Sequence, residues 1–267
     1  MSVTVAAADA ETATEEACAA LGTGCREDAG GPGEVVLDFW VPARTADPGG
    51  LRALLAGRGI AARVEAAPED DSWRDAMHAF HRPVEIAARL LVRPPWEPPR
   101  PPLLDVEIDP GMAFGTAQHA TTRACLVLLA GLPGDGALLD AGCGSGVLSI
   151  AARRLGFDPV WSADSDPLAV EATIANARRN AVGLRVGRRT IGADRLPACA
   201  TVTANLTGTV LRLLAAALPA PAPRRLIASG MRPEEVDGVA AAFARHGLVP
   251  AERIEDEGWA TILLERR

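Results

Sequence analysis

The chain has no tyrosine and no lysine; all 27 basic residues are arginine, and aromatic residues make up 4% of the 267 positions. Alanine, glycine, proline and arginine abound instead, a codon-composition pattern from which no mechanism follows. No apolar run reaches the roughly 20 residues that span a bilayer, and the N-terminus lacks a basic-then-apolar signal pattern; neither a membrane protein nor a secreted one is expected. Five cysteines, Cys18, Cys25, Cys125, Cys143 and Cys199, form no C-x-x-C pair and are odd in number. That excludes a disulfide framework and points to a reducing cytoplasm. His78 and His81 have no cysteine or third histidine nearby, so no metal site is expected.

What is present suffices for a substantial core: 48% of residues are hydrophobic, in a chain long enough for one large or two unequal domains. Charge is uneven. Residues 1–70 carry 12 acidic and 5 basic groups (−7), residues 71–102 carry 4 and 5 (+1), and residues 103–267 carry 18 and 17 (−1). The acidic first segment argues against nucleic acid docking there and suits a basic protein partner or a merely solvated surface.

The stretch Leu138-Leu-Asp-Ala-Gly-Cys-Gly-Ser-Gly146 reads as a buried strand turning tightly into a helix that starts near Val147. Gly142, Gly144 and Gly146 are spaced G-x-G-x-G; a dinucleotide site wants G-x-G-x-x-G, but the third position after Gly144 is Val147. The strand also ends in Asp140, a carboxylate that would repel a pyrophosphate but suits a ligand carrying an ammonium and a sulfonium. That ligand is S-adenosylmethionine. A second strand, Val160 to Asp164, ends in a carboxylate placed to hold ribose hydroxyls, while Asp166 before Pro167 has the order of a helix cap.

Along the chain, strands and helices alternate as βαββαβ over residues 1–68, a ferredoxin-like α+β module with no glycine loop, its first helix capped by Thr12 or Thr14. A shift in composition marks a Pro-rich connector over 69–102, with a helix from Ser72 through Phe80 and a strand-like Val84 to Val92. Residues 103–267 alternate strand and helix, ending in a hairpin of Leu248–Ile254 and Trp259–Leu264; this predicts a doubly wound α/β sheet of Rossmann-like type with helices on both faces. Ahead of it lies a polar loop, Asp109 to Thr122.

That loop, with Leu139–Gly146, Ala163-Asp-Ser-Asp-Pro167 and Thr203-Ala-Asn205, resembles the bacterial methyltransferases of ribosomal protein L-eleven. The order of Trp73, Phe80-His81, Arg89-Leu90, Trp96 and Glu257-Gly-Trp259 extends the resemblance over about 70–267. It implies a seven-stranded methyltransferase sheet, methylation of lysine and α-amino groups of that ribosomal protein, and cofactor contacts at Thr122, Gly142, Asp164 and Asn205. One departure is Ala117, where the family has a second glycine; if that position needs positive φ, the loop must rearrange.

Methyl transfer to an amine chiefly requires alignment of a free lone pair. Asn205, at the end of a core strand, is placed to accept an amine N–H, and His119 to take a proton or to stabilise the loop. Leu206 and Thr207 follow, with no Pro-Pro-aromatic platform, so no nucleobase substrate or direct nucleic acid binding is expected. A monomeric protein N-methyltransferase is the leading reading, with residues 1–68 recruiting a basic protein. A methyltransferase for another protein or a small molecule, and a catalytically silent binding scaffold, are the alternatives. Retention of Asp140, Asp164 and Asn205 together argues against the scaffold.

Overall fold

The computed structural model describes residues 1–39, 41, 47–66, 80–110 and 115–266. Two compact units are present, Met1–Ala76 and Met77–Arg267. The helix expected from Ser72 through Phe80, with Trp73 and His78, lies outside the described residues except for Phe80.

In the first unit β1 (Ser2–Ala6), α1 (Ala10–Leu21), β2 (Cys25–Ala29), β3 (Glu34–Phe39), α2 (Pro48–Gly57) and β4 (Arg63–Glu65) follow in order. The antiparallel sheet runs β2-β3-β1-β4, the ferredoxin-like arrangement. Alternation in β1 puts Val3 and Val5 on the buried face with Leu37, Leu51 and Leu55. Asp47 caps α2 by accepting from the Gly50 N–H at 2.9 Å, and Pro48 occupies the first helical position. Thr12 and Thr14 do not cap α1. The alanine-rich segment before them continues the helix back to Ala10, behind a short 3-10 turn at Ala7–Asp9.

The second unit opens with a small sheet: β5 (Val84–Ile86), β6 (Leu90–Arg93) and β7 (Leu104–Glu107). The single strand expected over Val84 to Val92 instead folds back on itself, with Ala87 and Ala88 at φ 48° and 50°. No glycine or asparagine marks that turn. Ile86, Leu90 and Val92 pack into the core of the second unit, so this part of the stretch read as a connector is integral to that unit. Arg93 anchors the proline-rich segment after it. Only 7% exposed, it bonds Asp105 at 2.6 and 2.8 Å, Glu107 at 2.9 Å and the Glu97 carbonyl at 2.7 Å.

The large sheet is entered through α3 (Ala120–Gly131) and comprises β8 (Leu138–Ala141), β9 (Val160–Asp164), β10 (Arg185–Arg188), β11 (Thr201–Asn205), β12 (Arg225–Met231), β13 (Leu248–Asp256) and β14 (Trp259–Arg266). Between them run α4 (Val147–Leu155), α5 (Pro167–Arg179), α6 (Gly208–Ala217) and α7 (Val236–Ala244). Strand order is β10-β9-β8-β11-β12-β14-β13, parallel except at β14, which is antiparallel to both neighbours. One core holds Leu126, Leu129, Ile150 and Phe157 on one face; the other holds Leu211, Leu214 and Phe243. The doubly wound expectation is met, and the order reverses between β8 and β11, where open α/β sheets form a crevice at the strands' carboxyl ends.

Replacing Arg93 with methionine strands two carboxylates in a half-buried site. Urea unfolding of the second unit, followed by tryptophan fluorescence, should show a loss of about 3 kcal/mol; a loss under 1 kcal/mol would mean that water already solvates the cluster.

Candidate functional site

At the β8–α4 turn Gly142, Gly144 and Gly146 all have positive φ: 80°, 53° and 83°. At Gly142 the need is doubled, because a Cβ there would lie 2.5 Å from a methyl of Leu206. The turn is tied to β9 through Asp164, whose carboxylate accepts the Gly144 N–H and the Asp166 N–H, both at 3.0 Å. Asp166 in turn caps α5 through the Leu168 N–H at 2.9 Å. Asp164 thus lines the crevice, while Asp166 caps the start of α5.

Asp140 sits differently from its expected place. It is fully buried and does not line the crevice; its oxygens accept from Ser149 at 2.6 Å and Thr203 at 2.9 Å. Burial pushes its pKa up to about 6, and nearby Asp164 adds to the rise, against the lowering by the two hydroxyl bonds. The carboxyl lies beneath the turn, set back from the crevice lining.

Asn205, at the end of β11, donates its amide N–H groups to the hydroxyls of Thr121 (3.2 Å) and Thr122 (3.3 Å). This leaves the amide oxygen to accept from a ligand. His119 caps α3, its Nδ1 lying 2.8 Å from the Thr121 hydroxyl and 3.3 Å from the Thr121 N–H. Its ring meets Trp259 edge-on at 5.3 Å, and Arg232 stacks over the same indole at 4.1 Å. His119 does not line the crevice, so the geometry favours the loop-stabilising side of its two expected roles.

Of the expected site residues, Thr122, Gly142, Gly144, Asp164 and Asn205 line one crevice of about 430 Å³, a size usual for small-ligand sites. Asp140, Gly146 and His119 support it from outside. Gly115, Arg189, Thr190, Ile191 and Leu213 are among the other residues of its wall and were missed. Arg189 to Ile191 could have been found, since they follow directly the carboxyl end of β10; Leu213 carries no such signal. Cys143 also lines the crevice, but burial raises its thiol to about 12, so it is no nucleophile.

The polar loop is clamped at several points, while its residues 111–114 lie outside the described set. Ser145 donates to the Gly115 carbonyl, Gln118 to the Arg82 carbonyl at 2.7 Å, and Arg123 reaches the Gln118 carbonyl as well as Asp256 (3.0 Å) and Glu257 (2.8 Å) on the closing hairpin. Ala117 keeps a left-handed conformation, φ 64°, instead of rearranging the loop. Its methyl is fully buried in the core, and that burial with the clamps on either side offsets a strain of about 1–2 kcal/mol.

The family model described as ribosomal protein L11 methyltransferase (PrmA) matches residues 54–267. A ribosomal protein L11 methyltransferase of Symbiobacterium thermophilum is 37% identical over 221 residues, covering 80% of this chain and 71% of that protein. One of Burkholderia vietnamiensis is 38% identical over 210 residues, 74% of this chain and 67% of its own length. Among solved structures, the ribosomal protein L11 methylase of Lactobacillus delbrueckii subsp. bulgaricus superposes with a TM-score of 0.62 at 23% identity, over 70% of this chain and all of that one, which shows a shared fold. With the matched span containing every residue of the crevice, the chain belongs to the ribosomal protein L11 methyltransferase family.

Proposed function

We propose that the crevice binds S-adenosylmethionine and presents it to amine groups of a basic ribosomal protein, L11 or a protein like it, at lysine side chains and the α-amino group. The bound cofactor supplies an electrophilic methyl on a sulfonium. The observation that carries the reading is the placement of Asn205 on the same crevice as the glycine turn and Asp164, its amide nitrogen engaged by two threonines and its oxygen left over. Thr121 and Thr122 fix the orientation of that amide, and His119 fixes Thr121.

In this arrangement the Asn205 oxygen accepts an N–H of the incoming amine and points its lone pair along the transfer axis. Alignment of this kind is what a direct displacement needs most. Asp164, already holding the Gly144 and Asp166 amides, keeps lone pairs for a ribose diol. Asp140, ionised above its raised pKa, places negative charge beneath the turn, favouring a cation there over a neutral thioether. The acidic first 70 residues, at −7, suit recruitment of a basic protein. Mass spectrometry of L11 incubated with the chain and isotopically labelled cofactor tests the whole reading: added methyl groups support it, and none under conditions where the cofactor binds would remove this substrate.

Three outcomes are expected of the site itself. Calorimetry on Asp164→Ala should show cofactor affinity reduced by roughly 1–3 kcal/mol, the loss of a buried hydrogen-bonding partner; unchanged affinity sinks the ribose assignment. Asn205→Ala should lower turnover by more than it lowers cofactor affinity, since the amine contact counts most in the aligned reactive complex. Equal losses would make Asn205 a cofactor contact only. Finally, below pH 6 a cationic ligand must drive the proton off Asp140, whereas above it the carboxylate is already ionised. The preference for S-adenosylmethionine over the demethylated thioether should therefore rise between pH 5 and 7.5, and a flat ratio would show that Asp140 does not feel the sulfonium.

A further inference from the structure

The strand β10 forms one edge of the large sheet, and the residues on and around it reverse the charge of the rest of the chain. Positions 178–195 hold six arginines and one acidic residue, Asp194, a local +5 in a protein of net −7. Arg179 pairs with Asp109 at 2.8 Å, and Asp194 spends a carboxylate oxygen on the Thr190 N–H at 2.7 Å. Arg178, Arg185, Arg188, Arg189 and Arg195 make no ion pair with any described residue. All but Arg189 are exposed. Arg188 and Arg189 are steadied by neutral carbonyls, those of Ser165 (2.9 Å) and Arg195 (3.1 Å), which orient the guanidinium groups without neutralising them.

The surface is also shaped. Arg185 lies over the indole of Trp161 at 4.9 Å and lines two open grooves, one of about 140 Å³ with Trp161, Gly187 and Pro197, the other of about 280 Å³ with Gly183 and Leu184. A guanidinium seated over an indole offers a surface on which a base can stack, as RNA-binding surfaces do. Along the edge Arg185 and Arg188 stand roughly 10 Å apart, on opposite faces of the strand, a distance that about three nucleotides at ~3.4 Å each running along the edge would span. A basic protein would be repelled here, so the edge is not where the proposed substrate docks.

We infer that the β10 edge is a docking strip for single-stranded RNA, its arginines contacting phosphates and Arg185 on Trp161 stacking a base. The strip stands apart from the methyl-transfer reading, which its failure would leave untouched. The earlier expectation of no nucleic acid contact came from the acidic first segment and from the lack of a base platform at Asn205, and neither bears on this edge.

The test is fluorescence anisotropy of a labelled twelve-nucleotide RNA with the full chain from 50 to 200 mM salt. Binding should weaken with salt by a log–log slope of about 3, as expected for some four to five phosphates on a single strand. The triple variant Arg178→Glu, Arg185→Glu, Arg195→Glu should bind at least tenfold more weakly with a slope lower by about 2, while thermal unfolding and cofactor binding stay as in the parent. Arg185→Lys keeps the charge but not the plane, and should lose threefold or more with the slope retained; it decides the matter by itself if the triple variant unfolds. RNA binding unchanged in these variants overturns the inference. So does equal or tighter binding of the parent to phosphatidylglycerol vesicles or polyglutamate, which would make the edge a non-selective anion surface.

Discussion

Asp140 is the constraint around which the catalytic unit is arranged. A carboxylate at the centre of a parallel sheet has no water to solvate it, so its oxygens must be met by the protein. Ser149 from α4 and Thr203 from β11 do so, and Ser162 from β9 donates to Ser149 at 2.7 Å. One buried polar chain therefore couples three adjacent strands to the helix that follows the glycine turn. Such a network is worth keeping only when every member is satisfied. It fixes the height and tilt of α4, and through α4 the turn of Gly142 to Gly146.

Asn176 on α5 and Asn180 at its C-terminal cap carry that order outward. Asn176 donates to the Ser145 carbonyl at 2.9 Å and accepts from the Asp109 N–H at 3.1 Å; Asn180, one turn on, exchanges bonds with both backbone groups of Glu107 at 2.9 and 2.7 Å. They splice β7 and the start of the polar loop to the glycine turn. At its other end the loop is held by Arg123 on the acidic hairpin tip and by His119 between Thr121 and Trp259. Asn205 thus owes its orientation to a chain of contacts reaching both the helix cap and the C-terminal hairpin, and a loop so clamped tolerates an alanine in a left-handed conformation.

Charge is distributed by segment: acidic over the first 70 residues, strongly basic over 178–195. A basic substrate and a polyanion would each be drawn to one of these and driven from the other, a separation that arginine alone supplies in a chain without lysine. Among the described residues, no helix is long and apolar enough to cross a membrane.

The alternation of short apolar strands with amphipathic helices determined the doubly wound sheet, because burial on both faces leaves such segments few other arrangements. The glycines, Asp164 and Asn205 were legible for a related reason: each stands at a strand end or a turn, where backbone geometry restricts the residue type; Thr122, inside α3, was marked only by the family resemblance. Tertiary structure decided what depends on partners distant in sequence. Asp140 proved to be buried beneath the crevice lining, because Ser149 and Thr203 reach it from other elements. His119 became a helix cap that meets Asn205 through their common partner Thr121, and Leu213 entered the crevice wall from a helix with no motif. The hairpin at Ala87 and Ala88 was hidden because neither residue favours positive φ; the packing of Ile86, Leu90 and Val92 on either side of the turn imposed it. Ala117 took its conformation under the same compulsion: local preference yields where burial and clamps on both sides outweigh a strain of one or two kcal/mol.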